Sequence, residues 1–146
     1  MMKQNFSAGG VLVNNQNQVY LIYKKTRDEW ALPKGGIEKG ETELEAAERE
    51  IKEETGYQSI KALVQKPIKT STWTFTREGN DEKEQKTTYY FLFRLRSKDR
   101  MKTPEMNAEG LAGDWFSFEE AIEKTSLDNV KEVLEMAKRG CRIKNG

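Results

Sequence analysis

Residues 41–56 constrain this chain more than any other stretch. Thr42-Glu43-Leu44-Glu45 has the form of a capping box, with the threonine hydroxyl at the N-cap and Glu45 at N3. Gly56 supplies the left-handed position that closes a helix, so the spacing predicts a helix from Thr42 to about Thr55. Leu44, Ala47 and Ile51 share one sector of it and would dock it on a sheet. Glu50, Glu53 and Glu54 fall within roughly 100° of one another in the adjoining sector. Like charges at these spacings each cost about 0.2–0.5 kcal/mol in an isolated helix. A divalent cation would turn that repulsion into attraction.

The flanks read as β-structure. Residues 8–13 and 19–25 are two strands joined by the turn-rich Asn14-Asn15-Gln16-Asn17, a hairpin. Residues 26–40 form a loop holding Trp30, Pro33 and three glycines. After the helix, residues 59–65, 71–77 and 87–96 read as strands, with the charged stretch 78–86 around Gly79-Asn80 as a solvated hairpin tip. Trp115-Phe116 is a last short strand. Ser117-Phe118-Glu119-Glu120 is a second capping box, and from Ser126 the residues Leu127, Val130, Leu134 and Ala137 recur at helical spacing up to Gly140. Strands, helix, strands, helices is the order of a mixed α/β domain without the regular alternation of a doubly wound sheet. The length suits one domain over residues 1–146.

Composition narrows the chemistry. The chain has no histidine and one cysteine, Cys141. That excludes a Ser-His-Asp triad, a Cys-His pair, an imidazole metal ligand, an internal disulfide and a Cys-rich zinc site. Catalysis has to come from carboxylates, Lys, Arg, Tyr or backbone groups, with any metal held by oxygen. The 25 basic and 24 acidic residues nearly cancel, which argues against a general nucleic-acid binder. Locally they do not cancel. Residues 41–54 hold seven Glu against Arg49 and Lys52, whereas residues 24–39 hold five basic and three acidic side chains. The first residues contain no apolar stretch of signal-peptide length and none approaches a membrane span, so with its single thiol the chain is expected in the cytoplasm, away from membranes.

From Gly35 to Tyr57 the sequence reads Gly-x5-Glu-x7-Arg-Glu-Ile-x-Glu-Glu-x-Gly-Tyr. This resembles the Nudix box, the signature of hydrolases acting on nucleoside diphosphates linked to another group. Gly35, Glu41, Arg49, Glu50, Glu53, Glu54 and Gly56 match its seven fixed positions, and Ile51 fills an aliphatic one. Tyr57 stands where a smaller aliphatic residue is usual, a departure that concerns packing. The lead-in Trp30-Ala31-Leu32-Pro33-Lys34-Gly35-Gly36 and the later Trp115-Phe116-Ser117-Phe118-Glu119-Glu120-Ala121 also resemble the family. The resemblance implies an α/β fold of the Nudix type, an α/β/α sandwich around a mixed β-sheet.

It further implies Mg²⁺ or Mn²⁺, hard cations that oxygen ligands select, held by Glu50, Glu53 and Glu54. A carbonyl of Lys34 or Gly35 would complete the shell. Arg49 would orient a glutamate through a charge-assisted contact, although spacing alone also allows an exposed pair with Glu45 or Glu53. Glu41 would be a structural member of the box. The general base is either a box residue, Glu53, or a glutamate outside it. Glu109 resembles such a residue, with Glu105 in reserve.

For substrate, Lys34 in the glycine turn either contacts phosphate with Gly35 beside it or is a solvated turn lysine, and Trp73 and Tyr90 either fill the core or stack on a base. The pattern is most similar to the diadenosine polyphosphate hydrolase branch, with Trp73 and Phe75 where that branch usually carries a tyrosine. Diadenosine tetraphosphate is thus the first expectation. Nucleoside triphosphates, ADP-ribose-type compounds and RNA 5′ ends are alternatives. A non-catalytic nucleotide sensor would carry a broken box, and this box is intact. The partner is a small nucleotide, with no nucleic acid other than an RNA 5′ end, and the chain is a monomer or homodimer.

Overall fold

In chain order the elements are β1 (Lys3–Val13), β2 (Gln18–Lys24), β3 (Glu29–Ala31), β4 (Lys34–Gly36), α1 (Glu43–Thr55), β5 (Ile60–Ala62), β6 (Lys69–Thr76), β7 (Lys83–Leu95), α2 (Pro104–Ala108), β8 (Leu111–Ser117), α3 (Phe118–Lys124) and α4 (Asp128–Asn145). They come from a computed structural model that describes residues 2–79, 81–108 and 111–145.

The sheet is organised by β1 and β7, which run parallel in continuous register from Lys3↔Glu84 to Val13↔Arg94. Its order is β3-β2-β1-β7-β5, with β4 on β1, β6 on β7 and β8 on β2. Every pairing except β1–β7 is antiparallel, so the sheet is mixed. Strand alternation sends side chains to two cores. One gathers Ala46, Ala47 and Ile51 of α1 with Leu12, Tyr20, Ile22, Phe91 and Phe93. The other gathers Val130, Val133, Leu134 and Ala137 of α4 and Phe118 of α3 with Val11, Leu21, Tyr90 and Leu92. Helices thus cover both faces, the α/β/α sandwich that the resemblance implied. No helix among the described residues is long and apolar enough to cross a membrane.

Several boundaries differ from those the sequence suggests. The strand expected at residues 8–13 begins at Lys3, because pairing with β7 extends it through polar residues. The strand expected at residues 87–96 likewise begins at Lys83, inside the stretch read as a solvated tip. Strands β3 and β4 lie within the expected loop; at three residues each they are too short to display alternation. Gly140 does not end α4, which continues to Asn145. A side chain there would come within 3.3 Å of Leu92, so the glycine sits where the helix leans on the sheet. The short α2 had no sequence signal.

Candidate active site

The site starts from the two ends of α1. At its N-terminus the Thr42 hydroxyl accepts from the Glu45 amide at 3.1 Å and the Glu45 carboxylate accepts from the Thr42 amide at 3.0 Å, completing the capping box. At its C-terminus Gly56 adopts φ 83°, and its amide donates to the Lys52 carbonyl. A side chain at Gly56 would also lie 2.3 Å from the Met101 carbonyl oxygen, so both conformation and space require glycine. A segment far along the chain then holds this end. Arg100 Nε donates to the Thr55 carbonyl at 2.8 Å, the Met101 amide donates to the Gly56 carbonyl at 2.9 Å, and the Thr103 hydroxyl donates to the Glu53 carbonyl. These groups satisfy carbonyls that the helix leaves without partners. Tyr57, the departure from the usual pattern, packs edge-on against Tyr20, and its hydroxyl accepts from Trp115 Nε1 at 3.1 Å.

Arg49 organises the acidic face. Its Nε and Nη2 grip Glu41 at 2.7 and 2.9 Å, Nη1 reaches Glu50 at 2.8 Å and Glu53 at 3.3 Å, and Nη2 also donates to the Gly36 carbonyl at 2.9 Å. The fork geometry of a guanidinium suits this sharing between carboxylates. Hydrogen bonding to Arg49, aided by the Glu38 amide, holds the Glu41 carboxyl down at about 2. The pairing with Glu45 that spacing allowed is replaced by this wider network, and the contact with Glu53 is present.

Strand β4 brings the glycine turn against the same face. The Lys34 amide donates to Glu54 Oε1 at 2.9 Å, and Glu54 is 7 % exposed. A Cβ on Gly35 would lie 2.2 Å from the Glu50 carboxyl carbon. The glycine therefore leaves room for a carboxylate to press against the backbone. Glu50, Glu53, Glu54 and the β4 backbone thus offer only oxygen donors, while Cys141 is buried in the core on the opposite face. This donor set fits a hard divalent cation such as Mg²⁺ or Mn²⁺ and lacks the thiolate and imidazole ligands typical of structural zinc sites. Among the described residues, no three acidic side chains are already gathered around one point. Arg49 bonds Glu50 and Glu53, and the Lys34 amide bonds Glu54.

Beside Glu54 opens a cleft of about 990 Å³. Lys24, Arg27, Lys34 and Lys86 line it against Glu29 and Glu54, and Trp73 and Tyr90 contribute rings. Burial, and then the neighbouring Lys86 and Lys24, push Lys34 down to about 7, which Glu54 partly opposes. Trp73 is 53 % exposed, whereas Tyr90 is only 1 % exposed. Tyr90 therefore forms part of the floor and belongs to the core, and it does not offer a face for stacking. Burial raises its hydroxyl to about 12. No sequence pattern marks Lys24 and Lys86 as cleft residues, and Lys86 falls in the stretch that reads as a solvated tip. A smaller groove of about 440 Å³ on the outer side of α1 is lined by both Glu53 and Glu105. Glu109 lies outside the described residues.

Comparison with known proteins agrees with this geometry. A profile of the NUDIX domain matches residues 3–136. The chain is 32 % identical over 116 residues to an RNA pyrophosphohydrolase of Ruthia magnifica subsp. Calyptogena magnifica, covering 75 % of this chain and 64 % of that one. It is 32 % identical over 108 residues to the asymmetrical bis(5′-nucleosyl)-tetraphosphatase of Rattus norvegicus, covering 73 % and 67 %. The chain spans less than two thirds of the first of these relatives and under a third of several other curated relatives it matches. Among solved structures, the binary complex of a C. elegans Ap4A hydrolase superposes with a TM-score of 0.72 at 21 % identity, over 97 % of this chain and 99 % of that one. With its box, its fold and these relatives in agreement, the chain belongs to the Nudix hydrolase family.

Proposed function

We propose that this protein is a divalent-metal-dependent pyrophosphohydrolase. It would cleave a phosphoanhydride bond in a nucleoside diphosphate linked to another group, with a dinucleoside polyphosphate such as diadenosine tetraphosphate as preferred substrate. The observation that carries the reading is the junction at Glu54, where a face of clustered carboxylates meets a cleft lined by lysines. Glu50, Glu53 and Glu54 would hold Mg²⁺ or Mn²⁺. When bound, such an ion supplies neutralisation of phosphate charge and a lowered pKa for a water.

The remaining work falls to the chain's own groups. Arg49 keeps Glu50 and Glu53 oriented on the helix surface, and Glu41 keeps Arg49 in place. Lys24, Lys34 and Lys86 meet the phosphate oxygens, while Gly35 allows the chain to pass close to Glu50. Glu53 or Glu109 takes a proton from the attacking water. Trp73, exposed at the cleft wall, stacks on a base.

The rat tetraphosphatase and the superposed Ap4A hydrolase support the dinucleotide reading. The RNA pyrophosphohydrolase relative supports RNA 5′ ends as the second. The test is a panel of dinucleoside polyphosphates, nucleoside triphosphates, ADP-ribose and 5′-triphosphate or capped RNA, each with Mg²⁺ or Mn²⁺. Diadenosine tetraphosphate is expected to give the highest kcat/KM. A wide preference for triphosphates or RNA would overturn the substrate assignment.

A further inference from the structure

On the outer part of the β6–β7 arm, beyond the residues that bear on α4, four side chains form a row that folding alone does not require. Trp73 stacks on Phe75 with ring centroids 4.7 Å apart and planes inclined by 31°. The Arg77 guanidinium lies 5.9 Å from the centre of the Phe75 ring. Arg77 in turn is gripped through Nε and Nη2 by the two oxygens of Glu84 at 2.5 and 3.1 Å, and Asn5 Nδ2 donates to Glu84 Oε1 at 3.1 Å. Register explains the row: Trp73 pairs with Lys86 and Phe75 with Glu84, so alternation puts Trp73, Phe75 and Glu84 on the sheet face that carries the cleft, and Arg77 follows one residue past the end of β6.

Two features set the row apart from an ordinary hairpin. Glu84 is 4 % exposed although it lies near the start of β7, so a carboxylate is anchored there. Trp73 is 53 % exposed, the largest ring at that level of exposure among the described residues, and it lines the cleft. An indole on an edge strand would ordinarily sample several rotamers. Here Phe75 packs against it, and Phe75 is in turn approached by a guanidinium that Glu84 holds through Nε and Nη2.

We infer that Glu84, Arg77 and Phe75 are positioning residues that brace Trp73 as a rigid stacking platform, so that the arm selects ligands carrying an aromatic base beside their phosphates. This rests on the cleft being the nucleotide site proposed above. The base stacks on the cleft-facing side of Trp73 while Lys86, its cross-strand partner, meets the adjoining phosphate. Preorganisation lowers the ordering cost on binding, so the brace acts on affinity for the base and leaves affinity for bare phosphates alone.

The test compares diadenosine tetraphosphate with inorganic tripolyphosphate, both titrated calorimetrically with Ca²⁺ and assayed separately for turnover with Mg²⁺. Trp73→Ala should weaken the dinucleotide by about tenfold or more, in the range of base–aromatic stacking. Phe75→Leu and Arg77→Lys keep apolar bulk and charge but lose the ring and the fork, and should weaken it three- to tenfold. Tripolyphosphate affinity should stay within twofold of wild type for both, and Phe75→Tyr should restore dinucleotide affinity. Equal losses for both ligands, or no loss for either, would overturn the brace. Base-selective binding without turnover of any nucleotide would leave the brace standing and overturn the proposed hydrolase activity instead.

Discussion

The two halves of the site handle charge in opposite ways. On α1 and the turn before it the carboxylates are matched within the protein: Arg49 bonds Glu41, Glu50 and Glu53, and Glu41 is held at about 2. In the cleft the lysines are set against one another, and Lys34 falls to about 7 under burial and the charges of Lys86 and Lys24. The acidic half can thus be kept in order before any cation arrives. The basic half holds positive charge that a polyphosphate would relieve. The lesson is that the near-zero net charge of the chain averages over two poles lying side by side.

The largest effect expected from breaking this contrast is on the acidic side. Glu53→Gln removes a charge from the helix face without changing its shape, and turnover should fall to background while the thermal melt stays cooperative. Arg49→Lys keeps the charge but loses the fork, and activity should drop by about 10–100-fold, as for other residues that orient metal ligands. Gly35→Ala should cost a similar factor, because the added methyl occupies the place of the Glu50 carboxyl group. Each is checked by steady-state kinetics beside a melting curve.

On the basic side the contrast is sharpened by removing a neighbour. An NMR titration of the Lys34 side chain should show a midpoint near 7, and Lys86→Met should move that midpoint upward because a repelling charge is gone. Lys34 carries its charge below this midpoint, so its contribution to phosphate binding is present at lower pH and lost as pH rises through it. A midpoint near the ordinary 10.5 would remove the contrast. The smallest effect concerns stability. The Glu41 carboxyl is depressed from 4.5 to about 2, so its contribution is full above 4.5 and is lost as pH falls toward 2. Glu41→Gln should flatten that part of the stability–pH curve.

Local signals were the most legible in the sequence. Both capping boxes, at Thr42 and Ser117, form as the residues predict, because each depends on groups three positions apart. The left-handed Gly56 and the buried face of Ala47 and Ile51 follow for the same reason. What the sequence hid was set by distant pairing. Lys83–Lys86 looks like a solvated tip until β1 and β6 pair with it, and only then does Lys86 reach the cleft. Tyr90 and Trp73 looked alike as aromatic residues on strands. One is buried against α4 in the floor of the cleft and the other stands near the open edge of the arm, a difference of position in the sheet that no local pattern records. Arg100 and Thr103, which hold the end of α1, come from a stretch with no motif at all.

Glu54 is where the two halves touch, lining the cleft while accepting from the Lys34 amide. The most direct test of their joint action is therefore the hydrolysis of diadenosine tetraphosphate by wild type and Glu54→Gln, with Mg²⁺ and with EDTA. Wild type should turn over the substrate with Mg²⁺ only, and a folded Glu54→Gln should show no turnover. Turnover that survives EDTA, or a variant that keeps the wild-type rate, would contradict that joint action.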